Sequence, residues 1–486
     1  MKDFLFYRAM ASPDQISILD TATNESWSYS YLNEKVTQLS IFLSQKGIEP
    51  LDKVGLFLDT SIKSVIALHA TLRIGACCVP LSIKSPPEEL SNHIQVSCPD
   101  WILSQKEICI DLDSFEIPII SLDDFHSPCP SISFNSPIFH YPESNLDDTC
   151  LLLFTSGTTG GFPKAVPITY QNLLSSSISS SLRLKTKKND IWLLYLPLNH
   201  MGGISPVLRS VLAGTTLATM DSPTIENLKF CMENYDITCL SIVPTLLEKF
   251  IQEQVDLSTL RFLLLGGGPI SIDLLSRCNS LSIPVHPTYG TTETSSQIAT
   301  ALPSDLDRHS GTVGRPLDLL NIVIKNEQNQ SVNEGEIGEI IVSGPMVSNG
   351  YLSPEYSDSS RLSNHTFRTG DLGYLKNGFL WICGRMDDLI IIGGENVYPI
   401  EIETIISTHK NVNDVAVFRE KDEKWGSKIV AVVVRNNSIL SEQELISFCE
   451  KKLSKYKIPK TIHFVDSIPR TVTGTFNSHT FTSNNK

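Results

Sequence analysis

Length, composition and charge predict a soluble globular protein with at least two domains. The 486 residues exceed what a single hydrophobic core usually organises, while 41% hydrophobic and 19% charged residues are ordinary for a water-soluble protein. The net charge of -14 argues against a nucleic-acid partner, because phosphate backbones are bound by clustered Lys and Arg.

No segment predicts export or insertion into a membrane. No apolar run reaches the roughly 18 to 20 residues that cross a bilayer, and charged side chains interrupt residues 1–8 too early for a signal peptide. The 11 cysteines are odd in number, scattered, and contain no Cys-x-x-Cys pair. We therefore predict reduced core cysteines in a cytoplasmic protein.

The N-terminal part alternates helical and extended patterns. Apolar residues at three- and four-residue spacing over 32–43 predict a helix. A strand over 54–58, a helix over 65–72 and a strand over 77–80 follow. This alternation is typical of a parallel sheet with covering helices. Residues 125–147 are rich in Ser and Pro and are predicted to form a surface connection.

A loop rich in Gly, Ser and Thr follows the apolar run 150–154, which is typical of a strand covered on both faces. Backbone N–H groups and hydroxyls of such a loop can surround an anion, and Lys164 adds positive charge. The loop lacks the Gly-x-x-x-x-Gly-Lys-Ser/Thr pattern of common mononucleotide loops. The alternative interpretation is a flexible turn without a ligand. The candidate phosphate-binding residues are Thr155, Ser156, Gly157, Thr158, Thr159 and Gly160.

Two basic residues lie in the next part of the chain. Thr169 is a predicted N-cap for a helix over 170–184. A predicted strand then begins at Trp192 and runs to His200, and Arg209 follows on a predicted helix. For His200 the alternative is a purely structural role. For Arg209 it is a solvent-facing side chain.

Two later motifs offer groups suited to a nucleotide. The predicted strand at 261–265 runs directly into glycines, which allow a flat purine to lie against the backbone, although a tight turn without a ligand is the alternative. Tyr289 can stack on the purine, the Thr292 hydroxyl can reach a phosphate, and the Glu293 carboxylate can hold Mg²⁺, which prefers oxygen ligands. The other candidate nucleotide-binding residues are Gly267, Gly268, Pro269, Gly290 and Thr291.

These segments, in this order, resemble the motifs of the adenylate-forming superfamily, which includes acyl- and aryl-CoA ligases, luciferases and peptide-synthetase adenylation domains. The resemblance covers essentially the whole chain. It implies that Asp371, in Phe367-Arg-Thr-Gly-Asp371, accepts hydrogen bonds from the ribose hydroxyls. It implies that Arg385 contacts the nucleotide and that Asp387 is a hinge.

The same resemblance places both basic residues at the substrate. It implies that His200 lies near the carboxylate to be activated and that Arg209, at the pocket rim, can meet a second carboxylate. The implied reaction is attack of a carboxylate on the α-phosphorus of Mg-ATP, followed by attack of the CoA thiol. ATP, CoA and a small carboxylic acid are thus the expected partners, with Mg²⁺ as the metal. Whether the chain forms homo-oligomers is left open.

The resemblance implies an α/β fold with two domains. A large N-terminal domain, 1–386, has parallel and mixed sheets with covering helices and binds ATP and the acid. A small α+β C-terminal domain, 387–486, moves between the two half-reactions. The predicted elements of this small domain are a helix over 401–409, strands over 414–418 and 429–434, and a helix over 442–453.

Within the superfamily, the segments 196–203, 265–270 and 295–299 are most similar to o-succinylbenzoate-CoA ligases of menaquinone synthesis. Another aryl- or fatty-acyl-CoA ligase is the alternative substrate assignment. A different kind of alternative is a degenerate member that binds nucleotide with little adenylation activity.

The sequence departs from the superfamily pattern in two places. The phosphate loop has two residues, Gly161 and Phe162, where the usual form has one. Near the C-terminus, Gly474 is followed by Thr475, whereas the superfamily motif has lysine after this glycine. The motif commonly has a second basic residue three positions later, where this chain has Ser478. In similar enzymes that lysine bridges the carboxylate and the α-phosphate, and losing such a donor costs about 10² to 10³ in rate. Thr475 is the feature that favours the degenerate alternative.

Overall fold

The computed structural model contains strands and helices along almost the whole chain. The residues that it describes are 3–57, 59–82, 84–104, 116–125, 145–155, 163–220, 222–352, 361–392, 395–422, 426–436, 440–469 and 481.

The strands within these ranges form five sheets. In chain order they are β1 (Ile16–Asp20), β2 (Glu25–Ser28), β3 (Lys53–Phe57), β4 (Cys77–Leu81), β5 (Trp101–Ser104), β6 (Ile119–Ser121), β7 (Thr149–Thr155), β8 (Lys164–Thr169), β9 (Ile191–Leu193), β10 (Thr216–Thr219), β11 (Cys239–Ile242), β12 (Phe262–Leu265), β13 (Val285–Thr291), β14 (Ser296–Thr300), β15 (Arg315–Pro316), β16 (Asn321–Lys325), β17 (Gly338–Ser343), β18 (Leu362–Ser363), β19 (Thr366–Lys376), β20 (Phe379–Arg385), β21 (Ile390–Ile392), β22 (Glu395–Val397), β23 (Val412–Asp422), β24 (Gly426–Arg435) and β25 (Thr461–Val465).

The α-helices cover the faces of these sheets. They are α1 (Phe4–Ala11), α2 (Tyr29–Gln45), α3 (Ile62–Ile74), α4 (Pro87–Ser97), α5 (Tyr170–Leu184), α6 (Met201–Ala213), α7 (Ile225–Asn234), α8 (Pro244–Gln252), α9 (Ile272–Ser280), α10 (Pro303–Leu306), α11 (Pro399–Ser407) and α12 (Glu442–Glu450). No helix in the part of the chain that the structure describes is both long and apolar enough to cross a bilayer.

Two large mixed sheets carry the N-terminal part. The first has the order β6-β5-β3-β4-β7-β8, with parallel pairing from β6 to β7 and antiparallel pairing of β7 with β8. The second has the order β15-β14-β13-β12-β11-β9-β10-β1-β2 and is parallel in its centre. A large core that includes apolar residues of both sheets lies between them, and the predicted α/β architecture is confirmed.

The remaining sheets follow in the C-terminal half. One has the order β16-β17-β19-β18, with β20 paired to β19. Strands β21 and β22 form a hairpin, and β23-β24-β25 form a three-stranded sheet against α11. A separate core cluster, made of residues between 390 and 462, lies under this last sheet. The predicted smaller C-terminal domain is confirmed, while its boundary at Asp387 stays a prediction.

Local sequence signals explain where several elements begin and end. Thr169 caps α5 as predicted, because its hydroxyl accepts the Asn172 N–H and the Asn172 side chain accepts the Thr169 N–H. Helix α3 ends at Gly75, whose φ of 87° is a left-handed conformation that glycine adopts without strain. The strand predicted from Trp192 ends already at Leu193, and Pro197 lies in the turn that follows.

No disulfide bond joins the cysteines that the structure describes, and most of them are buried in the core as predicted. Cys98 differs, because it is exposed at the C-cap of α4 with φ of 44°.

Candidate functional site

The structure describes the two ends of the predicted phosphate loop. Thr155 ends β7, Lys164 begins β8, and the two residues are paired in the antiparallel ladder. The loop therefore leaves and returns at one edge of the first sheet. Residues 156–162, which include Ser156, Gly157, Thr158, Thr159 and Gly160, lie outside the described residues.

The Asp371 carboxylate accepts a hydrogen bond from Tyr289 and forms an ion pair with Arg385. The Tyr289 hydroxyl donates to Asp371 Oδ2 over 2.6 Å, and Arg385 Nε lies 3.7 Å from Asp371 Oδ1. Pairing of β19 with β20 places Asp371 opposite Arg385. Burial raises the pKa of Asp371 above its usual value, and the Arg385 charge opposes that rise. Burial also raises the pKa of Tyr289, so its hydroxyl is a proton donor at neutral pH.

The glycine segment lies beside this group. Strand β12 ends at Leu265, next to Pro287 of the parallel strand β13, so Gly267 follows at the same sheet edge as Tyr289. Gly267 has φ of 79°, which favours glycine. At Gly290 a Cβ would lie 1.8 Å from the Ser296 carbonyl oxygen, so no larger residue fits there. Gly268, Pro269 and Thr291 lie in the same two segments.

Glu293 lies in a 3₁₀ turn between β13 and β14, together with Thr292. Glu293 is buried, with only 8% of its surface exposed to solvent. The Tyr351 hydroxyl donates to Glu293 Oε1 over 2.9 Å. Lys164 Nζ lies 5.6 Å from the centre of the Tyr351 ring. The structure thus brings the end of the phosphate loop and the predicted metal carboxylate to the same tyrosine.

His200 and Arg209 both belong to the α6 region, with His200 at its start and Arg209 within the helix. His200 is the N-cap residue, and its Nε2 lies 3.3 Å from Asn199 Nδ2. Partial desolvation lowers the pKa of His200, and the Glu89 carboxylate acts in the opposite direction. A mainly neutral imidazole at neutral pH follows.

Arg209 is 3% exposed, so the solvent-facing alternative is wrong. Its guanidinium carbon lies 4.9 Å from the centre of the Trp192 ring, a cation–π contact. Among the residues described, no hydrogen-bond acceptor reaches Arg209 Nε or Nη1. Burial lowers the pKa of Arg209 to about 10, so the side chain stays charged at neutral pH.

Further buried polar atoms lie on the elements around Arg209. Helix α6 packs against α5 and β14. The hydroxyls of Ser179 on α5, Ser205 on α6 and Ser295 before β14 are buried and have no partner within the described part of the chain. Buried polar groups are normally hydrogen-bonded, so this region is suited to a polar ligand or bound water.

Asp387 is exposed in the turn that follows β20. In this turn the Asp388 N–H donates to the Arg385 carbonyl over 3.3 Å. Thr475 and Ser478 lie outside the described residues.

Sequence reasoning missed Tyr351 and the neighbouring Ser348. Both lie in a non-repetitive segment between β17 and β18. Their contacts at this site are with Glu293, which is 55 and 58 positions away in sequence. No local periodicity could have identified them.

The chain was compared with known proteins and structures. Models of the AMP-binding enzyme family and of its C-terminal domain match residues 5–352 and 401–475. A 2-succinylbenzoate–CoA ligase of Bacillus cereus is 33% identical over 480 residues, which are 97% of this chain and 95% of that protein.

Solved structures agree with these matches. The o-succinylbenzoate CoA synthetase (MenE) of Bacillus subtilis in complex with the acyl-adenylate intermediate OSB-AMP has a TM-score of 0.87, 31% identity, and coverage of 98% of this chain and 97% of that chain. The same synthetase in complex with ATP and magnesium ion has a TM-score of 0.87, 30% identity and 98% coverage of both chains.

Proposed function

Because this chain belongs to the AMP-binding enzyme family, we propose that it is an ATP-dependent ligase that joins o-succinylbenzoate to CoA. The reaction has two steps. The acid first attacks the α-phosphorus of ATP, which gives an acyl-adenylate and pyrophosphate. The thiol of CoA then attacks the acyl carbon and displaces AMP.

The nucleotide is held by residues that are already paired with one another. The Tyr289 ring stacks on adenine, Gly267, Gly268 and Pro269 give it a flat backbone surface, and Asp371 accepts from the ribose hydroxyls. The contact of Asp371 with both Tyr289 and Arg385 supports this assignment, since it fixes the carboxylate before ATP arrives.

The phosphates and Mg²⁺ occupy the space beside Glu293. Loop residues 155–160 and Lys164 surround the phosphates, and Thr292 reaches the α-phosphate. The Glu293 carboxylate is buried, and only its Oε1 accepts a hydrogen bond from a described side chain. It suits Mg²⁺, which is commonly bound by one or two carboxylates plus substrate phosphates. When bound, Mg²⁺ neutralises phosphate charge. Glu293 holds it, and Lys164 adds a fixed cation.

The acid is held by α6. His200 lies near the carboxylate to be activated, and Arg209 pairs with the second carboxylate. The Arg209 guanidinium is buried, and its Nε and Nη1 lack an acceptor among the described residues. This observation is the main support for a dicarboxylate substrate. A dianionic substrate supplies the missing acceptor, whereas a fatty acid leaves the charge unpaired.

No side chain acts as a nucleophile in this scheme. Catalysis consists of positioning two anions against each other and neutralising the charge that gathers between them. The small domain, 387–486, turns at Asp387 to present a different face to the nucleotide for the thioester step. The described cysteines form no disulfide bond with one another, which supports a cytoplasmic location.

A panel of acids tests the assignment. Pyrophosphate release is measured with ATP, Mg²⁺ and CoA for o-succinylbenzoate, for its analogue without the ring carboxylate, and for benzoate, malonate and fatty acids. We expect turnover of o-succinylbenzoate, with at least about 10²-fold lower kcat/KM for the monocarboxylate analogue, because Arg209 then stays unpaired. If o-succinylbenzoate is inert and another acid turns over, the substrate assignment is wrong.

The second candidate is a family member that binds nucleotide with little adenylation. Thr475, at the position where similar enzymes have lysine, favours it. ATP binding without acid-dependent pyrophosphate exchange for any acid in the panel would establish this candidate.

A further inference from the structure

We propose that Tyr351 is a positioning residue that orients the Glu293 carboxylate toward Mg²⁺ and holds Lys164 beside it. This inference rests on the proposed function, because it assigns a task to Tyr351 at the same site. Three sets of contacts place Tyr351 between Glu293, in the turn after β13, and Lys164, at the start of β8.

The first contact fixes the carboxylate. The Tyr351 hydroxyl donates to Glu293 Oε1 over 2.9 Å, and Glu293 is largely buried. Because this bond engages Oε1, the second oxygen, Oε2, can face a cation. Groups that hydrogen-bond a metal-binding carboxylate set its orientation, and their loss typically lowers metal affinity or activity by about 10- to 100-fold.

The second contact concerns the Tyr351 ring. Lys164 Nζ lies 5.6 Å from the ring centre, within the range of a cation–π contact. Lys164 is the first residue of β8, where the phosphate loop ends. The ring therefore supports the lysine, while the hydroxyl of the same side chain supports the glutamate.

The third set of contacts anchors the backbone around Tyr351. The Leu352 N–H donates to the Ala165 carbonyl over 2.9 Å, and the Ser348 N–H donates to the Glu293 carbonyl over 2.8 Å. The Ser348 hydroxyl donates to the Pro167 carbonyl over 2.6 Å. Segment 348–352 is thus bound both to β8 and to the turn that carries Glu293, so Tyr351 keeps its place without a ligand.

Substituting Tyr351→Phe removes the hydroxyl and keeps the ring. Binding of ATP is measured by calorimetry without acid, first without metal and then over a Mg²⁺ titration. We expect metal-free ATP affinity to change less than about twofold and the half-saturating Mg²⁺ concentration to rise about 10-fold. Tyr351→Leu, which also removes the ring, should in addition weaken metal-free ATP binding, because Lys164 loses its support.

Tyr170→Phe is the matched control, since the Tyr170 hydroxyl donates over 2.9 Å to the Leu72 carbonyl, away from Glu293. It should lower the melting temperature and leave the Mg²⁺ titration unchanged. If Tyr351→Phe behaves like Tyr170→Phe, the positioning role is wrong while the proposed function stands. If the native chain itself shows no Mg²⁺-dependent ATP binding, the proposed function fails and this inference fails with it.

Discussion

The two ends of the proposed active site treat their charged groups in opposite ways. At the nucleotide end, Asp371 contacts Tyr289 and Arg385, and Glu293 contacts Tyr351. At the acid end, Arg209 is more deeply buried, yet its guanidinium nitrogens Nε and Nη1 have no acceptor within the described residues. The nucleotide end is thus ordered before binding, whereas under the proposed function the acid supplies the partner of the charge on Arg209.

This contrast has an energetic meaning. A paired buried charge is stabilised by its partner, while an unpaired one costs free energy of folding. A protein keeps such a cost where function requires it, and the buried cation then becomes a source of specificity for a dianionic acid.

Arg209→Met should have the largest effect. We expect kcat/KM for o-succinylbenzoate to fall by about 10²- to 10⁴-fold, equivalent to about 3–5 kcal/mol, because the second carboxylate is left buried and unpaired. The free energy of unfolding of the ligand-free chain should rise by about 1–3 kcal/mol, since an unpaired buried charge is removed. Steady-state kinetics and denaturant unfolding measure the two quantities.

Arg183→Met is the control for this substitution, because Arg183 Nη2 is already paired with Asp305 Oδ2 over 2.7 Å. It should lower stability and leave kcat/KM nearly unchanged. A loss of both activity and stability in Arg209→Met would mean that Arg209 has a structural role instead.

Thr475→Lys tests the other departure from the family pattern. A lysine there adds a cation where charge gathers during adenylation, so we expect acid-dependent pyrophosphate exchange to rise by about 10² to 10³-fold, or about 2.7–4 kcal/mol. Thr475→Met is the control for side-chain length without charge. An unchanged rate in Thr475→Lys would show that another cation already serves this step.

Asp371→Ala removes the carboxylate that, under the proposed function, accepts hydrogen bonds from the ribose of ATP. The KM for ATP should rise by about 10- to 100-fold, or about 1.5–3 kcal/mol, because hydrogen bonds to a charged group are lost. Asp305→Ala provides the comparison, since it also removes a paired carboxylate but one that contacts Arg183. Equal ATP affinity in both variants would contradict the assignment of Asp371 to the ribose.

Outside the proposed site, His69 is another buried side chain with a polar atom that lacks a partner among the described residues. Burial lowers its pKa to about 4 from 6.5, and within the described residues its Nε2 has no partner. The unfolded chain therefore binds more protons between these two values, so stability present above about pH 6.5 is lost as the pH falls toward 4.

We expect this residue to account for about 1–2 kcal/mol of the stability lost between about pH 7 and pH 5. His69→Leu should remove that part of the loss when unfolding by urea is followed at both pH values. His286, whose pKa burial also lowers to about 4, should contribute a separate part that this variant retains. An unaltered pH dependence in His69→Leu would show that His69 is not the source.

The chain itself determined most of the elements and the family. The spacing of apolar residues over 32–43 predicted α2, and Thr169 predicted the start of α5, because periodicity and capping are local properties. The order of the motifs predicted the superfamily, and the segments 196–203, 265–270 and 295–299 predicted its o-succinylbenzoate branch; the similar proteins confirm both predictions.

The environment of the polar groups, by contrast, depends on the tertiary packing. From the sequence, Arg209 could face either solvent or a pocket, and the structure shows it buried with its guanidinium against the Trp192 ring. The sequence could not reveal Tyr351 beside Glu293 and Lys164, because those contacts join residues 58 or more positions apart. Residue type and spacing specify what a side chain can do, whereas burial and partners depend on how distant segments pack together.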